Sequence, residues 1–350
     1  MAATVTPADE EVGRRNWLRI GIGAAIGLGA VYAVVTAAGG LGDSFDALRH
    51  VHVGWLVVAG ALEWVSYVFL GLLMRQLSGE KRVSRRAGLR LGFVVLGLGN
   101  IMPAAPLEGL TLAGAELRRR DVPVRRVALA LGLFQWFITR AMFAFFALST
   151  LAVVVLVEGR HSVPDRYVLG IIAGFVLLTL PVSRYLLSQQ SLAEWAAVKL
   201  RRLRRKANRL SVQEARLVGR SWHRDAMGIL GSSANQFGLV ALALAWCSCD
   251  AACFRLSLFA AGVPLTAPEF VLGYATAMLG AMVPFVPAGF GAVETAVPAL
   301  LHRSGTPVAK ALAGVLTFRL LGTLLPAVGG AAALVLLRRA KIEQPTTAGG

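Results

Sequence analysis

Charge is scarce in this sequence, and negative charge is scarcer than positive charge. Only 16% of the 350 residues are charged, 56% are hydrophobic, and 36 lysines and arginines outnumber 19 acidic residues. The chain is too apolar for a soluble protein, and several of its apolar runs exceed the roughly 18 residues that indicate a bilayer span. The composition therefore predicts a polytopic, all-α integral membrane protein.

The positive charge has an explanation that does not involve nucleic acid. In a soluble protein a formal net charge of +17 would suggest a nucleic-acid partner. Here the arginines and lysines collect in short segments between apolar runs, as the positive-inside rule requires of cytoplasmic loops. No recognised binding module and no basic surface interleaved with aromatic residues accompanies the charge. We therefore expect no nucleic-acid partner.

Motifs for metal and nucleotide chemistry are also lacking. The three cysteines, Cys247, Cys249 and Cys253, lie in one apolar run with no histidine nearby. Their spacing matches none of the common zinc patterns, so buried small residues of a membrane helix are favoured over a metal site. No P-loop occurs, which argues against ATP coupling within the chain. No cofactor, no metal and no catalytic residue is predicted.

Apolar runs alternate with basic segments along most of the chain. Residues 1–13 are polar and are expected to be disordered, residues 14–340 form one transmembrane domain, and residues 341–350 form a tail. About six full spans are predicted, at 20–38, 53–74, 127–157, 167–187, 226–249 and 308–337. The basic flanks predict that both termini are cytoplasmic.

Two of the predicted spans carry an ionisable side chain in their length, Glu63 and Arg140. Such a group at the centre of a bilayer costs on the order of 3 kcal/mol, so Glu63 should face the helix bundle or a cavity. Arg140 should have a carboxylate or an anionic ligand as its partner. For both residues, a functional role and a structural ion pair remain open.

The stretch PFVPAGFGAVE cannot form an ordinary membrane helix. Pro284 and Pro287 each remove a backbone donor, and Gly289 and Gly291 free the backbone before Glu294. A broken helix at bilayer depth is tolerated only where it is buried in protein or lines a cavity. This stretch is therefore a candidate site.

A second break lies in the first half of the chain, at Pro103 and Pro106. Basic clusters flank it on both sides, and each arm is too short to span, so residues 87–118 are predicted to form a re-entrant hairpin from the cytoplasm. The break that contains Pro284 has sparsely charged flanks. It is predicted to form a hairpin of the opposite orientation.

The two breaks share an order of parts: a PxxP break, then a proline, a valine and a basic residue, then a long helix with one arginine. Pro103 and Arg140 are 37 residues apart, and Pro284 and Arg319 are 35 residues apart. Paired breaks in halves of opposite topology indicate a transport site near the bilayer midplane. Chance similarity between apolar segments is the alternative to an inverted repeat.

A basic cytoplasmic segment, 188–224, separates repeat one, about 53–158, from repeat two, about 226–338. Within it Leu192 and Trp195 belong to a set of apolar residues that recur at roughly helical spacing among arginines. This pattern is typical of an amphipathic helix on an anionic lipid surface, and a solvated loop is the alternative.

The chain resembles the transmembrane domain of the lysylphosphatidylglycerol synthase family, often called flippase-like, over roughly residues 15–340. The stretch PFVPAGFGAVE is similar to the family pattern PxPGGxGxxE. The matching positions are Pro284, Pro287, Gly289, Gly291 and Glu294, and Ala288 replaces the first glycine of the family.

The first break resembles another family segment, an asparagine followed by a proline and a glutamate. In NIMPAAPLEG these positions are Asn100, Pro103 and Glu108. The arginine that the family usually has between the proline and the glutamate is absent here. Glu116 is therefore a second candidate for the role that the resemblance gives to Glu108.

The resemblance implies a multi-span protein of the cytoplasmic membrane that moves or handles lipids. In related resistance factors a soluble aminoacyl-transfer domain follows this domain; here the sequence ends soon after Lys341, so aminoacyl transfer is not expected. The leading hypothesis is a flippase or scramblase-like translocator of a phospholipid or lipid-linked intermediate. Arg140 and Arg319 would attract a phosphate head group, and Glu294 and Glu63 would balance those charges or bind a coupling proton.

Two other functions stay open at this point. One is a membrane-embedded transferase acting on a polyprenyl-phosphate carrier, although the chain has no Asp-x-Asp pair for metal-assisted chemistry. The other is a non-catalytic scaffold that recruits a partner, such as a lipid-modifying enzyme, through the basic segment.

Overall fold

The computed structural model describes residues 49–79, 83–98, 106–156, 174, 178, 182, 185, 188–203, 211–281 and 289–342. Within these ranges every regular element is helical, and they contain no strand. The predicted span at 20–38 lies outside the described residues, as does most of the span at 167–187.

Eleven α-helices lie within the described residues. In chain order they are α1 (Val53–Ser78), α2 (Arg85–Gly92), α3 (Pro106–Arg118), α4 (Val124–Leu156), α5 (Gln190–Leu203), α6 (Val212–Leu230), α7 (Ser233–Ala260), α8 (Ala267–Ala281), α9 (Ala292–His302), α10 (Val308–Arg319) and α11 (Leu325–Ile342). A π-helical segment, Phe93–Leu98, continues α2, and a second one, Leu320–Leu324, joins α10 to α11.

Within the described part of the chain, four stretches of helix are long and apolar enough to cross a membrane. They are Val53–Ser78, Val124–Ala152, Ser233–Ala260 and the continuous stretch Val308–Leu337. The protein is therefore a multi-pass membrane protein.

The span predicted at 226–249 was misplaced by about ten residues. Residues up to Leu230 belong to the amphipathic helix α6, which ends where Gly231 adopts φ 60° and donates its N–H to Met227 O at 2.9 Å. A new helix, α7, begins at Ser233 and continues to Ala260. Asp250, which follows the end of the predicted span, therefore lies within α7.

The chain forms two compact units, each assembled from separate parts of the sequence. The first unit contains Met1–Tyr67, Arg90–Ala113 and Cys249–Gly350, and the second contains Val68–Leu89 and Gly114–Ser248.

In the first unit, α9 packs against α8 and α10, and α11 packs against the π-helical segment Phe93–Leu98. Phe254 is fully buried and contacts the rings of Tyr274 and Phe318 at centroid distances of 5.7 and 5.3 Å. These rings fix α7, α8 and α10 together.

In the second unit, α5 packs lengthwise against α6. The backbones approach closely at Gly219, where a methyl group would lie 2.7 Å from Glu194 Cα. Ser211 begins α6 with a capping box, in which Glu214 N–H donates to Ser211 Oγ and Ser211 N–H donates to a Glu214 carboxylate oxygen. The basic segment thus folds as two helices rather than as one.

The second break requires glycine in its described part. Gly289 has φ 66° and Gly291 has φ 87°, both in the left-handed region that disfavours other residues. A methyl group on Gly289 would also lie 2.6 Å from Ala281 Cα, the last residue of α8. Pro284 and Pro287 lie outside the described residues, as do Asn100 and Pro103 of the first break.

Candidate functional site

Glu294 occupies the first turn of α9 and is 1% exposed. Its Oε2 accepts a hydrogen bond from the Gly291 N–H at 2.7 Å. The carboxylate therefore satisfies one of the unpaired donors at the start of the helix and lies at the positive end of the helix dipole. The fold at the break places and stabilises a negative charge inside the protein.

Arg319 is the last residue of α10 and is 5% exposed. Its Nε donates to Glu294 Oε1 at 2.9 Å, which joins α9 and α10 through a buried ion pair. Its Nη1 donates to Thr323 Oγ1 at 3.3 Å, and its Cζ lies 4.8 Å from the ring centroid of Phe290. Glu294, predicted to face Arg319 or the first break at Pro103, thus lies against Arg319.

The backbone immediately after Arg319 is distorted, and the sequence accounts for the distortion. Pro326 has no N–H, so it cannot provide the α-helical donor for Gly322 O four residues earlier. Tyr67 of α1 supplies that donor, with its O–H at 3.4 Å from Gly322 O. A carbonyl left without a donor in hydrocarbon would cost several kcal/mol, so Tyr67 makes the π-helical segment Leu320–Leu324 tolerable.

Glu63 is 1% exposed, and the structure adds an acidic neighbour, Asp250, which is 7% exposed. Their side chains interact directly across α1 and α7. Asp250 accepts a hydrogen bond from the Tyr274 O–H of α8. Oε2 of Glu63 has no hydrogen-bond partner among the described residues. The prediction that Glu63 faces the bundle is confirmed, whereas Asp250 was missed.

Arg140 belongs to the second unit, in α4. Its Cζ lies 4.2 Å from the ring centroid of Trp136, one turn earlier in the same helix. Glu116 is also in the second unit; it is 3% exposed, and its Oε1 lies 3.5 Å from Arg120 Nε. Glu108 falls in α3, but its side chain lies outside what the structure describes.

The three cysteines lie on α7, and none of them forms a disulfide with another described residue. Cys247 and Cys253 are buried, as predicted, and Cys249 is half-buried. Among the described residues no group of three or more histidine, cysteine, aspartate or glutamate side chains is placed to hold a metal ion.

Residues 17–330 match the family model of the lysylphosphatidylglycerol synthase TM region. The protein belongs to this family. A comparison with curated proteins gave no match.

As a member of the lysylphosphatidylglycerol synthase transmembrane family, the chain is a membrane-embedded, lipid-related protein. The matched range includes the PFVPAGFGAVE stretch, so the sequence pattern that carries the resemblance coincides with the buried ion pair. Glu294 thus belongs to the stretch that resembles the family pattern, and it also forms the buried ion pair with Arg319.

Proposed function

We propose that this protein is a translocator, flippase or scramblase-like, of a phospholipid or lipid-linked intermediate with an anionic head group. The observation that carries the proposal is the ion pair between Glu294 and Arg319, buried at a break between apolar helices. Ionisable residues inside membrane bundles mark transport pathways more often than they serve stability.

The pair is suited to exchanging one partner. A buried ion pair adds little net stability compared with apolar packing, because desolvation opposes the attraction. When a head-group phosphate takes the place of the carboxylate, its oxygens accept bidentate hydrogen bonds from the guanidinium. Glu294 meanwhile keeps the Gly291 N–H and the helix dipole, so its charge remains compensated after Arg319 turns to the lipid.

The proposed topology has about six full spans and two re-entrant hairpins of opposite orientation, arranged as an inverted repeat in the cytoplasmic membrane. Both termini are cytoplasmic in this arrangement because the basic clusters flank those ends. The order of elements supports the repeat, since each break is followed by a short helix, a proline-containing turn and a long helical stretch. These are α3 and α4 in one half, and α9 and Val308–Leu337 in the other.

The basic segment supports contact with anionic lipid on the cytoplasmic face. Trp195 on α5 and Leu217 on α6 are 58% and 60% exposed. Large apolar side chains exposed among arginines are typical of helices that lie in the membrane interface. We assign the segment to lipid binding rather than to recruitment of an enzyme partner, and we propose no catalytic activity.

The proposal is tested by reconstituting the purified protein in vesicles that contain a labelled phospholipid or a labelled polyprenyl-linked lipid. The wild type should accelerate movement between leaflets. Arg319→Ala and Glu294→Gln should each slow it by more than about tenfold, because each leaves a buried charged or polar group without its partner. Asp225→Asn is the matched control, since Asp225 forms a 2.8 Å ion pair with Arg125 in which the two side chains are 45% and 37% exposed.

Equal lipid movement with and without protein, across both kinds of lipid, would contradict the proposal. Chemical conversion of either lipid by the purified protein would instead favour a membrane-embedded transferase.

A further inference from the structure

The first unit contains a buried acidic pair that the ion pair between Glu294 and Arg319 does not account for. Glu63 on α1 and Asp250 on α7 interact directly, and both are almost fully buried. Among the described residues, no lysine, arginine or histidine forms a salt bridge with either carboxyl group. The pair thus has no described counter-charge.

The groups that surround the pair are hydrogen-bonding rather than cationic. Tyr274 of α8 donates its O–H to Asp250, and the same cluster contains Tyr67 of α1 with Cys249 and Cys253 of α7. The π-helical segment Leu320–Leu324 also packs against Glu63. A methyl group added to Gly322 would lie only 3.6 Å from Glu63 Oε1. Side chains of α1, α7 and α8 thus form one polar cluster within the apolar core.

Two neighbouring carboxylates in an apolar interior cannot both remain ionised, because desolvation and mutual repulsion both oppose the second charge. If both were ionised, neither could donate to the other, and Glu63 Oε2 would stay without a hydrogen bond. One proton on the pair removes a charge and supplies the missing donor. A metal ion would require more ligands than the described groups provide.

We propose that Glu63 and Asp250 form a proton-binding site that holds one proton shared between the two carboxyl groups. The proton titrates with the pair as a unit rather than with either residue alone. Tyr274 positions Asp250 by donating a hydrogen bond to it. Tyr67 of the same cluster donates a hydrogen bond to Gly322 O.

The site lies against the segment that begins directly after Arg319. Loss of the proton places a negative charge beside Gly322, three residues beyond the guanidinium. The charge state of the pair therefore acts on the backbone that positions Arg319. This coupling rests on the proposed lipid translocation, whereas the proton-binding site itself does not.

The site is tested by infrared difference spectroscopy of the wild-type protein in lipid nanodiscs during a pH titration. A protonated carboxylic acid has a carbonyl stretching band that a carboxylate lacks. We expect such a band near neutral pH in the wild type and its loss at high pH. Glu63→Gln and Asp250→Asn should each remove it, and Glu116→Gln should leave it, since Glu116 is a buried carboxyl group of the second unit that lies beside Arg120 and does not belong to the acidic pair.

Absence of the band, or a band unchanged in both Glu63→Gln and Asp250→Asn, would overturn the proposal. If the band disappears on addition of sodium chloride at constant pH, the pair binds a monovalent cation in place of the proton, and the proposal is overturned. If the two carboxyl variants do not fold, Tyr274→Phe decides: removal of its O–H should shift the band frequency, and an unshifted band would overturn the site.

The lipid assay separates the two proposals. If vesicles show no lipid movement but the band behaves as expected, the translocator fails and the proton site stands. If lipid moves, Glu63→Gln should flatten the pH dependence of its rate, while an unaltered pH dependence would overturn the coupling to Arg319.

Discussion

The two broken halves of the chain share an order of parts but differ in how their charges are paired. In the second half, Glu294 and Arg319 lie on different helices, 25 residues apart, and form a buried ion pair. In the first half, Glu116 pairs with Arg120 four residues later, and Arg140 lies over Trp136 of its own helix. The two buried carboxylates thus differ: Glu294 is paired with an arginine of another helix, and Glu116 is paired with an arginine of its own helix.

This difference matters for movement. A contact between side chains of one helix survives any rigid displacement of that helix, so it cannot report or drive such a displacement. The pair that joins α9 to α10 exists only while those helices keep their positions. The second half is thus the half in which a charge can exchange partners.

The largest expected effect is on stability when that pair is broken. Arg319→Ala should lower the free energy of unfolding by about 3–5 kcal/mol, because Glu294 remains buried without its cation. Arg120→Ala in the first half should cost less, since the side chain of Arg120 is 23% exposed and water can take its place beside Glu116. Thermal unfolding in detergent measures both, and equal losses would remove the distinction between the halves.

The backbone at the second break should be the next most sensitive feature. Gly289→Ala should cost about 1–3 kcal/mol, because alanine resists the left-handed conformation and its methyl group meets Ala281. Gly132→Ala on α4 is the control, since nothing lies within 4 Å of the added methyl group there. The control should be neutral or slightly stabilising in the same unfolding experiment.

Arg140 offers a sharper functional comparison with Arg319. We expect Arg140→Ala to slow lipid movement less than Arg319→Ala does, because it removes a cation–π contact within α4 and leaves the buried pair of Glu294 and Arg319 in place. The vesicle assay with both variants measures the ratio. A loss as large as that of Arg319→Ala would show that both halves bind the head group.

The smallest effect concerns Glu194, a half-buried carboxylate in the second unit. Hydrogen bonds from Gln190 and then Arg220 lower the pKa of Glu194 below its ordinary value, which favours the charged form in the folded helix pair. This contribution is present above the unfolded pKa and is lost as the pH falls through the folded pKa. Hydrogen exchange of α5 should therefore rise on acidification in the wild type.

Glu194→Gln is the control for that experiment, because glutamine cannot titrate. Exchange of α5 in this variant should depend less on pH in the acid range, after correction for the intrinsic exchange rate. An equal pH dependence in both proteins would assign the effect to other groups.

Sequence alone predicted the parts of this fold that depend on local chemistry. The limits of α1 and α4 follow from unbroken apolar runs, and the glycines of PFVPAGFGAVE marked a backbone that leaves the helical region. The pairing of Glu294 with Arg319 was also predictable, because each is an ionisable group in an apolar stretch that needs an opposite charge.

The misplaced α7 shows where such reasoning fails. The predicted span ended at 249, directly before Asp250, whereas α7 continues through Asp250 and Arg255 to Ala260. In the fold Asp250 accepts from Tyr274, and Arg255 lies with its Cζ 5.5 Å from the ring centroid of Phe270. Partners on α8 thus keep these residues within the helix, and their spacing along the chain does not indicate them.

The capping of α6 was a signal that was available but not used. Ser211 and Glu214 have the spacing of a capping box, which marks a helix start in the middle of the basic segment. Recognising it would have divided the segment into α5 and α6 and moved the start of α7 beyond Gly231.

The π-helical segment Leu320–Leu324 has a consequence for insertions and deletions. A π turn contains about one residue more than an α turn, so the helix beyond it is rotated by about 100° relative to a continuous α-helix. Gly329, which now lies against the ring of Phe93, depends on that phase. Deleting one residue of the segment would therefore rotate α11 about its axis and turn a different row of side chains towards Phe93, while shortening the helix by only a single step.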